Sequence, residues 1–183
     1  MRELTPLYRR LLGDDFDRLP PEIRAMHGAT DRLAAAGRGS VERGRNPLAR
    51  LVAGLFGLPP AARDVPVRVT FTVAEGVEIW ERDFDGARFR SRQEIGRGRL
   101  AGLLVQRFGP FAFGLAVPAG PAGLSLEIRG MEFLGLPLPR ALAPRVAAGE
   151  RVVDGRFTFD VRMALPLVGL LVHYRGWLTP QDI

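Results

Sequence analysis

The chain has 183 residues, 46% of them hydrophobic and 25% charged, with 26 basic side chains against 20 acidic and a formal net charge of +6. These proportions suit one folded domain with a sizeable core rather than a disordered chain. Every basic residue is arginine, and there is neither lysine nor cysteine. Their absence excludes Schiff-base and thiol nucleophiles, disulfides and cysteine-held metal or iron–sulfur sites. The arginines are scattered along the chain instead of gathered into a stripe, so no nucleic-acid partner is expected. The N-terminus lacks the uninterrupted apolar stretch of a signal peptide. The longest apolar run, Ala164 to Val172, has nine residues and contains Pro166 and Gly169, against the ~20 needed for a spanning helix. No transmembrane segment is expected, and the default location is cytoplasmic.

In chain order, Leu4, Leu7, Tyr8, Leu11 and Leu12 recur at helical spacing, with Thr5 as N-cap, Pro6 at the first helical position and Gly13 as the stop. Asp14, Asp15 and Asp17 read as a solvated cap and turn rather than a cation site. Pro20-Pro21 opens a second short helix with Ile23, Met26 and His27 inward. The Gly- and Arg-rich stretch from Ala34 to Gly44 predicts a loop or a short edge strand. Asn46-Pro47 then starts a helix whose stripe of Leu48, Leu51, Val52, Leu55 and Phe56 is expected to be covered by the core, in preference to lying on a membrane.

From Pro66 the period changes to two: Val67, Val69, Phe71 and Val73 alternate with Arg68, Thr70 and Thr72. Asp85-Gly86 predicts a two-residue type I′ reversal between strands running from Val77 to Gln93. Its register pairs Phe84 with Ala87, Asp83 with Arg88 and Glu81 with Arg90 on a charged outer face. The opposite face then carries Glu78, Trp80, Arg82, Phe84, Phe89, Ser91 and Gln93, a mixture suited to the lining of a cavity. Two strands follow around Gly109-Pro110, although the run LAGLLV before them also fits a short helix. Another strand holds Leu124, Leu126 and Ile128, and Leu136-Pro137-Leu138-Pro139 leads into a crossing loop or helical turn. Asp154-Gly155 is a second reversal, placing Glu150 opposite Phe159, and a loop over 166–169 pairs Leu165 with Leu170. The expected fold is therefore α+β but mostly β: a bent antiparallel sheet or partly closed barrel of about seven or eight strands, with short N-terminal helices on one end. It forms a single domain, 1–183, with a helical part over 1–60 and a β part over 65–179.

The ordered segments LYRRLLGDDFDRLPPEIRAMH, VERGRNPLARL with GLPPAARDVPV, IWERDFDG, RFGPFAF and DGRFTFDVRMALPLVGLLVHYRGWL resemble the bacterial domain of unknown function 4166 family over nearly the whole chain. The resemblance implies relatives that stand alone or lie behind a saccharopine-dehydrogenase-like NAD-binding domain. It implies no activity and supplies no catalytic residue. This chain carries no such cofactor segment: GRGRLAG after Ile95 is the nearest approach to a dinucleotide fingerprint and lacks the strand and acid that should follow it. No cofactor is expected.

His27 and His173 are the only imidazoles, and neither has a second imidazole at helical spacing, so no metal site is expected. His173, beside Tyr174 and across from Arg162, reads as a packed or solvated strand residue. Ser40, Ser91 and Ser125 lie in no nucleophile elbow. Glu78 and Glu150 face inward and need partners, with Arg82 the obvious cation for Glu78. One outcome is a buried Glu–Arg pair hydrogen-bonded to Ser91, Gln93 or Tyr174. The other is a set of polar anchors in an apolar pocket, with Trp80, Phe89, Phe157 and Phe159 as walls. The function expected from the residues is a non-catalytic binding or accessory domain holding an apolar, lipid-like small molecule. The alternatives are an acid–base enzyme using Glu150 or Glu78, and an interaction module that docks on an NAD-dependent oxidoreductase.

Overall fold

Four two-residue reversals set the strand register in the computed structural model, which describes residues 5–181. Glu75-Gly76, Asp85-Gly86, Leu134-Gly135 and Asp154-Gly155 all have positive φ at both positions, the conformation whose twist matches that of paired strands. The strands are β1 (Arg32–Arg43), β2 (Ala62–Ala74), β3 (Val77–Phe84), β4 (Ala87–Ile95), β5 (Leu104–Phe108) and β6 (Phe111–Ala116). They continue with β7 (Ala119–Gly120), β8 (Gly123–Phe133), β9 (Leu136–Pro137), β10 (Arg145–Val153), β11 (Arg156–Leu165) and β12 (Gly169–Gln181).

Ten of these close an antiparallel barrel in the order β10-β11-β12-β1-β2-β3-β4-β5-β6-β8, with β8 returning to β10 and with β7 and β9 outside the circuit on β8. The fold is mostly β as expected, but the barrel is closed and has more strands than the seven or eight read from the sequence. The closing seam is short: only Ala148, Gly149 and Glu150 pair with Leu126, Ser125 and Leu124.

The largest departure from expectation is β1. The segment read as a loop or edge strand, inside the part read as helical, is a 12-residue strand lying between β12 and β2. Its glycines are what allow this. A Cβ on Gly37 would stand 1.9 Å from the Trp177 carbonyl oxygen, and one on Gly176 would stand 2.2 Å from that of Arg38. Bare backbone at these positions lets β1 and β12 coil tightly enough to close the barrel.

Inside and outside follow the predicted parity. Val67, Val69, Phe71, Trp80, Arg82, Phe84 and Phe89 are buried, whereas Arg68, Glu81 and Arg90 are exposed. Asp83 accepts from Arg88 at 2.8 Å, and the Glu81–Arg90 pair stands at 4.0 Å on the outer face. The second hairpin keeps Glu150 opposite Phe159 and Asp160 opposite Arg175. One expected pairing is corrected: Leu165 faces Gly169 and Ala164 faces Leu170, because a bulge after Met163 absorbs one residue. His173 lies beside Asp160 at 2.8 Å on the outside of the barrel.

Three short helices cap the two ends. α1 (Leu7–Leu12) and α2 (Pro21–His27), joined by a 3-10 turn over Gly13–Arg18, plug the end reached by the 75–76 and 154–155 reversals. Pro6, not Thr5, occupies the N-cap position of α1, and Leu4 lies outside the described residues. Asp15 and Asp17 are paired with Arg18 and Arg9 at the surface. The segment before β5 forms a 3-10 turn over Gly98–Leu100.

α3 (Pro47–Leu55), with the Asn46 side chain accepting from the Leu48 amide at 2.9 Å, sits at the other end. Its predicted stripe is covered only in part: Val52 and Phe56 pack against the core, and the three leucines do not. Ala49 and Ala53 are buried, while Leu48, Leu51 and Leu55 are 51%, 62% and 80% exposed. The small alanines form the seat of the helix on the sheet, and the leucines are turned away from it.

Candidate functional site

The inward positions of β3 run from the plugged end as Glu78, Trp80, Arg82 and Phe84, and each meets a different environment. Nearest the plug, Trp80 donates its indole N–H to Glu78 Oε2 at 3.1 Å, leaving Glu78 Oε1 without a partner among the described residues. Burial pushes the Glu78 carboxyl above its ordinary range. Tyr8 from α1 stacks on His27 from α2 at 3.8 Å between ring centroids and donates its hydroxyl to Gln93 Oε1 at 3.2 Å. Burial raises the Tyr8 phenol well above its usual value. His27 Nε2 and Glu150 Oε2 are 2.5 Å apart, so one hydrogen bond ties α2 to β10 across the plug. His27 Nδ1 has no partner among the described residues.

Arg82 does not pair with Glu78. It is 8% exposed, donates from Nη1 to Ser91 Oγ at 3.0 Å, and lies over the rings of Trp80 and Phe89 at 4.8 and 5.2 Å. Among the described residues it enters no ion pair. Burial lowers its pKa, but a guanidinium starts so far above neutrality that it stays charged. Its one side-chain hydrogen bond among the described residues is to Ser91, and the charge of Glu150 favours its ionised form without an ion pair between them. A buried cation so sparsely bonded is costly unless something else supplies acceptors.

Beside Arg82 lies a cavity of ≈ 290 Å³ inside the barrel. Its polar wall is His27, Arg82, Gln93, Gln106 and Glu150, and the rest is dominated by apolar side chains such as Val67, Phe71, Phe113, Met131 and Leu171. Toward the α3 end it reaches Val52, Phe56, Leu142 and Pro144. Leu142 is also 59% exposed, so the cavity meets the surface where the β8–β10 seam is no longer paired.

Of the residues expected to line a site, Trp80, Arg82, Gln93, Glu150, Phe157, Phe159 and Tyr174 border this cavity. Glu78, Phe89 and Ser91 are enclosed but stand behind the wall, Glu78 against the helical plug and the other two against Arg82. Sequence reasoning missed Tyr8 and Gln106 and gave His27 no role. Tyr8 and His27 have an inward helical phase as their only signal, and nothing in the chain says which strands they meet. Gln106, hydrogen-bonded to Ser91 at 3.1 Å, is legible only from the β4–β5 register.

Fold and site together define a closed antiparallel β-barrel with an apolar interior, a helical plug at one end and a buried arginine that makes no ion pair among the described residues. The chain matches the family described as Domain of unknown function (DUF4166) over residues 19–178, and it belongs to that family. A search of curated proteins finds no match.

Proposed function

We propose that this protein is a binding domain that holds an amphipathic small molecule, its apolar body inside the barrel and an anionic head group on Arg82. The observation that carries the proposal is Arg82 itself, buried beside an apolar cavity with no carboxylate partner among the described residues. A carboxylate or phosphate accepts two N–H groups of one guanidinium side by side and removes the cost of the unpaired charge. The cavity lies at the small end of the range for small-molecule sites, which suits a medium-length acyl or isoprenoid chain. Trp80 and Phe89 hold the guanidinium plane, while Gln93, Gln106 and Tyr174 offer further polar contacts to the head. The test is native mass spectrometry of gently purified protein, followed by calorimetric titration with dodecanoate and with dodecanol. Bound amphipaths and a preference of at least about tenfold for the acid, worth roughly 1.4 kcal/mol, are expected. An empty protein with no saturable binding of either compound overturns the proposal.

A second reading, acid–base chemistry, rests on the His27–Glu150 contact of 2.5 Å at the cavity wall. Glu78 plays no part in it, since its carboxylate stands outside the cavity lining. This reading requires a reacting atom of the bound molecule to lie beside Glu150, and a chemically unchanged ligand recovered after prolonged incubation counts against it. A docking role on an oxidoreductase, the third expectation, draws on the exposed end of the barrel and not on its interior.

A further inference from the structure

The large hydrophobic side chains left exposed are not spread over the surface. Nine are exposed among the described residues, and all but Val153 lie at the α3 end of the barrel. Leu48, Leu51 and Leu55 come from α3, Leu134 and Leu136 from the β8–β9 reversal, and Leu167 from the β11–β12 turn. Contacts join these elements into one surface. Phe56 meets Phe111 at 5.1 Å, Phe111 meets Phe133 at 4.9 Å, and the backbone at Gly44, before α3, touches that at Leu170. Leu142, at the cavity mouth, belongs to the same end. A contiguous apolar patch of this kind marks a contact surface rather than an ordinary exterior.

The charges around it have one sign near the helix. From 43 to 63 the chain holds Arg43, Arg45, Arg50 and Arg63 and no acid. Arg43 donates to the Leu58 and Pro59 carbonyls, whereas Arg45, Arg50 and Arg63 are exposed. The nearby acids Glu42, Asp64, Asp83 and Glu132 already face Arg175, Arg38, Arg88 and Arg99, which leaves Asp85 in the β3–β4 turn among the described residues. The outward faces of β2 to β4 carry Arg68, Glu81, Arg88 and Arg90, the reverse of a lipid-facing barrel wall. Among the described residues the exposed large hydrophobics, Val153 apart, gather at this end.

We infer that the α3 end docks on the surface of an anionic lipid bilayer, the leucines entering the interface and the arginines facing the head groups. The cavity mouth then opens at the membrane, where an amphipath can pass between bilayer and barrel. The docking rests on the patch and its charge, and it does not require the cavity to be filled. Vesicle binding reads the end of the barrel and the dodecanoate titration reads its interior, so failure of one is visible apart from the other.

The test is flotation of the full chain with vesicles of phosphatidylcholine alone and of phosphatidylcholine with about one-third phosphatidylglycerol. Binding to the anionic vesicles is expected, weakening as salt is raised and poor on neutral ones. Replacing Leu51→Asp and Leu55→Asp together should weaken it by at least about tenfold. Arg50→Glu should remove most of the preference for phosphatidylglycerol, while Val153→Asp at the far end should change nothing. Circular dichroism and thermal unfolding check that each variant is folded. Three results overturn the inference: no binding to either vesicle, which leaves the face to a protein partner; equal binding to both vesicles; or equal loss with Val153→Asp. A wild-type dimer in light scattering that Leu51→Asp/Leu55→Asp converts to a monomer also overturns it, because a second copy then covers the face.

Discussion

Replacing Arg82 with methionine keeps most of the side-chain volume and removes the charge. In the unliganded protein this relieves the burial of a guanidinium that forms no ion pair among the described residues and feels only the more distant charge of Glu150, and exchanging buried ionic groups for well-packed apolar ones is often favourable by about 1–4 kcal/mol. Against that stand two cation–π contacts, with Trp80 and Phe89, and one hydrogen bond to Ser91. The two cation–π contacts contribute roughly 1 kcal/mol each, and the hydrogen bond from the charged guanidinium about 1.5 kcal/mol. The terms nearly cancel, so urea unfolding should place Arg82→Met within about 2 kcal/mol of wild type. Ligand affinity should behave differently. Hydrogen bonds from a charged donor to an anionic head contribute about 1.5–3 kcal/mol, so dodecanoate binding should fall by about 10- to 100-fold in calorimetry while dodecanol binding hardly changes. Arg82→Lys, which keeps the charge but loses the planar fork, should fall between. A loss of more than about 3 kcal/mol in stability, the cost of breaking a structural buried pair, together with unchanged dodecanoate affinity, refutes the reasoning.

Glu78 and Asp83 stand five residues apart on opposite faces of β3 and should respond to pH with opposite signs. Burial raises the folded-state pKa of Glu78, so its contribution to stability declines as pH rises above the unfolded value. Glu78→Gln should therefore be more stable than wild type near neutrality, with the gap closing in acid during urea unfolding at stepped pH. The hydrogen bond from Arg88, with the Gly86 amide, lowers the pKa of Asp83, so its stabilisation is present above the unfolded pKa and lost as pH falls through the folded one. A double-mutant cycle of Asp83→Asn with Arg88→Gln should give a coupling of only about 0.2–1 kcal/mol, since Arg88 is largely exposed. Gly37→Ala brings a methyl group against the Trp177 carbonyl and should cost about 2 kcal/mol or more in thermal or urea unfolding. No measurable loss there contradicts the account of how β1 closes the barrel.

Much of the barrel's lining was legible because Asp85-Gly86 and Asp154-Gly155 leave little choice of turn, and turn geometry with strand alternation fixes which side chains look inward. Trp80, Arg82 and Glu150 follow from that alone. What was not legible involves contacts distant in the chain. His27 and Glu150 are 123 residues apart, and no local pattern announces their meeting. Barrel closure depends on the short β8–β10 seam and on β1, whose Gly37 and Gly39 resemble loop residues until the approach of β12 explains them. The α3 stripe misled because helical periodicity reports an apolar face without saying what lies opposite. Here Ala49 and Ala53 take the sheet, and the leucines are left outside. The Glu78–Arg82 pair failed for a simpler reason: inward neighbours on one strand share a face, but Trp80 lies between them and takes both side chains as partners.

A crystal structure of the protein grown with a bromine-tagged dodecanoate tests the central claim most directly, because the halogen locates the chain terminus while the carboxylate reports the head. The carboxylate is expected within hydrogen-bonding distance of the Arg82 guanidinium and the bromine inside the barrel, directed toward Phe56 and Leu142. Bromine found only on the outer surface, with the interior empty and Arg82 still bound to Ser91 alone, contradicts it.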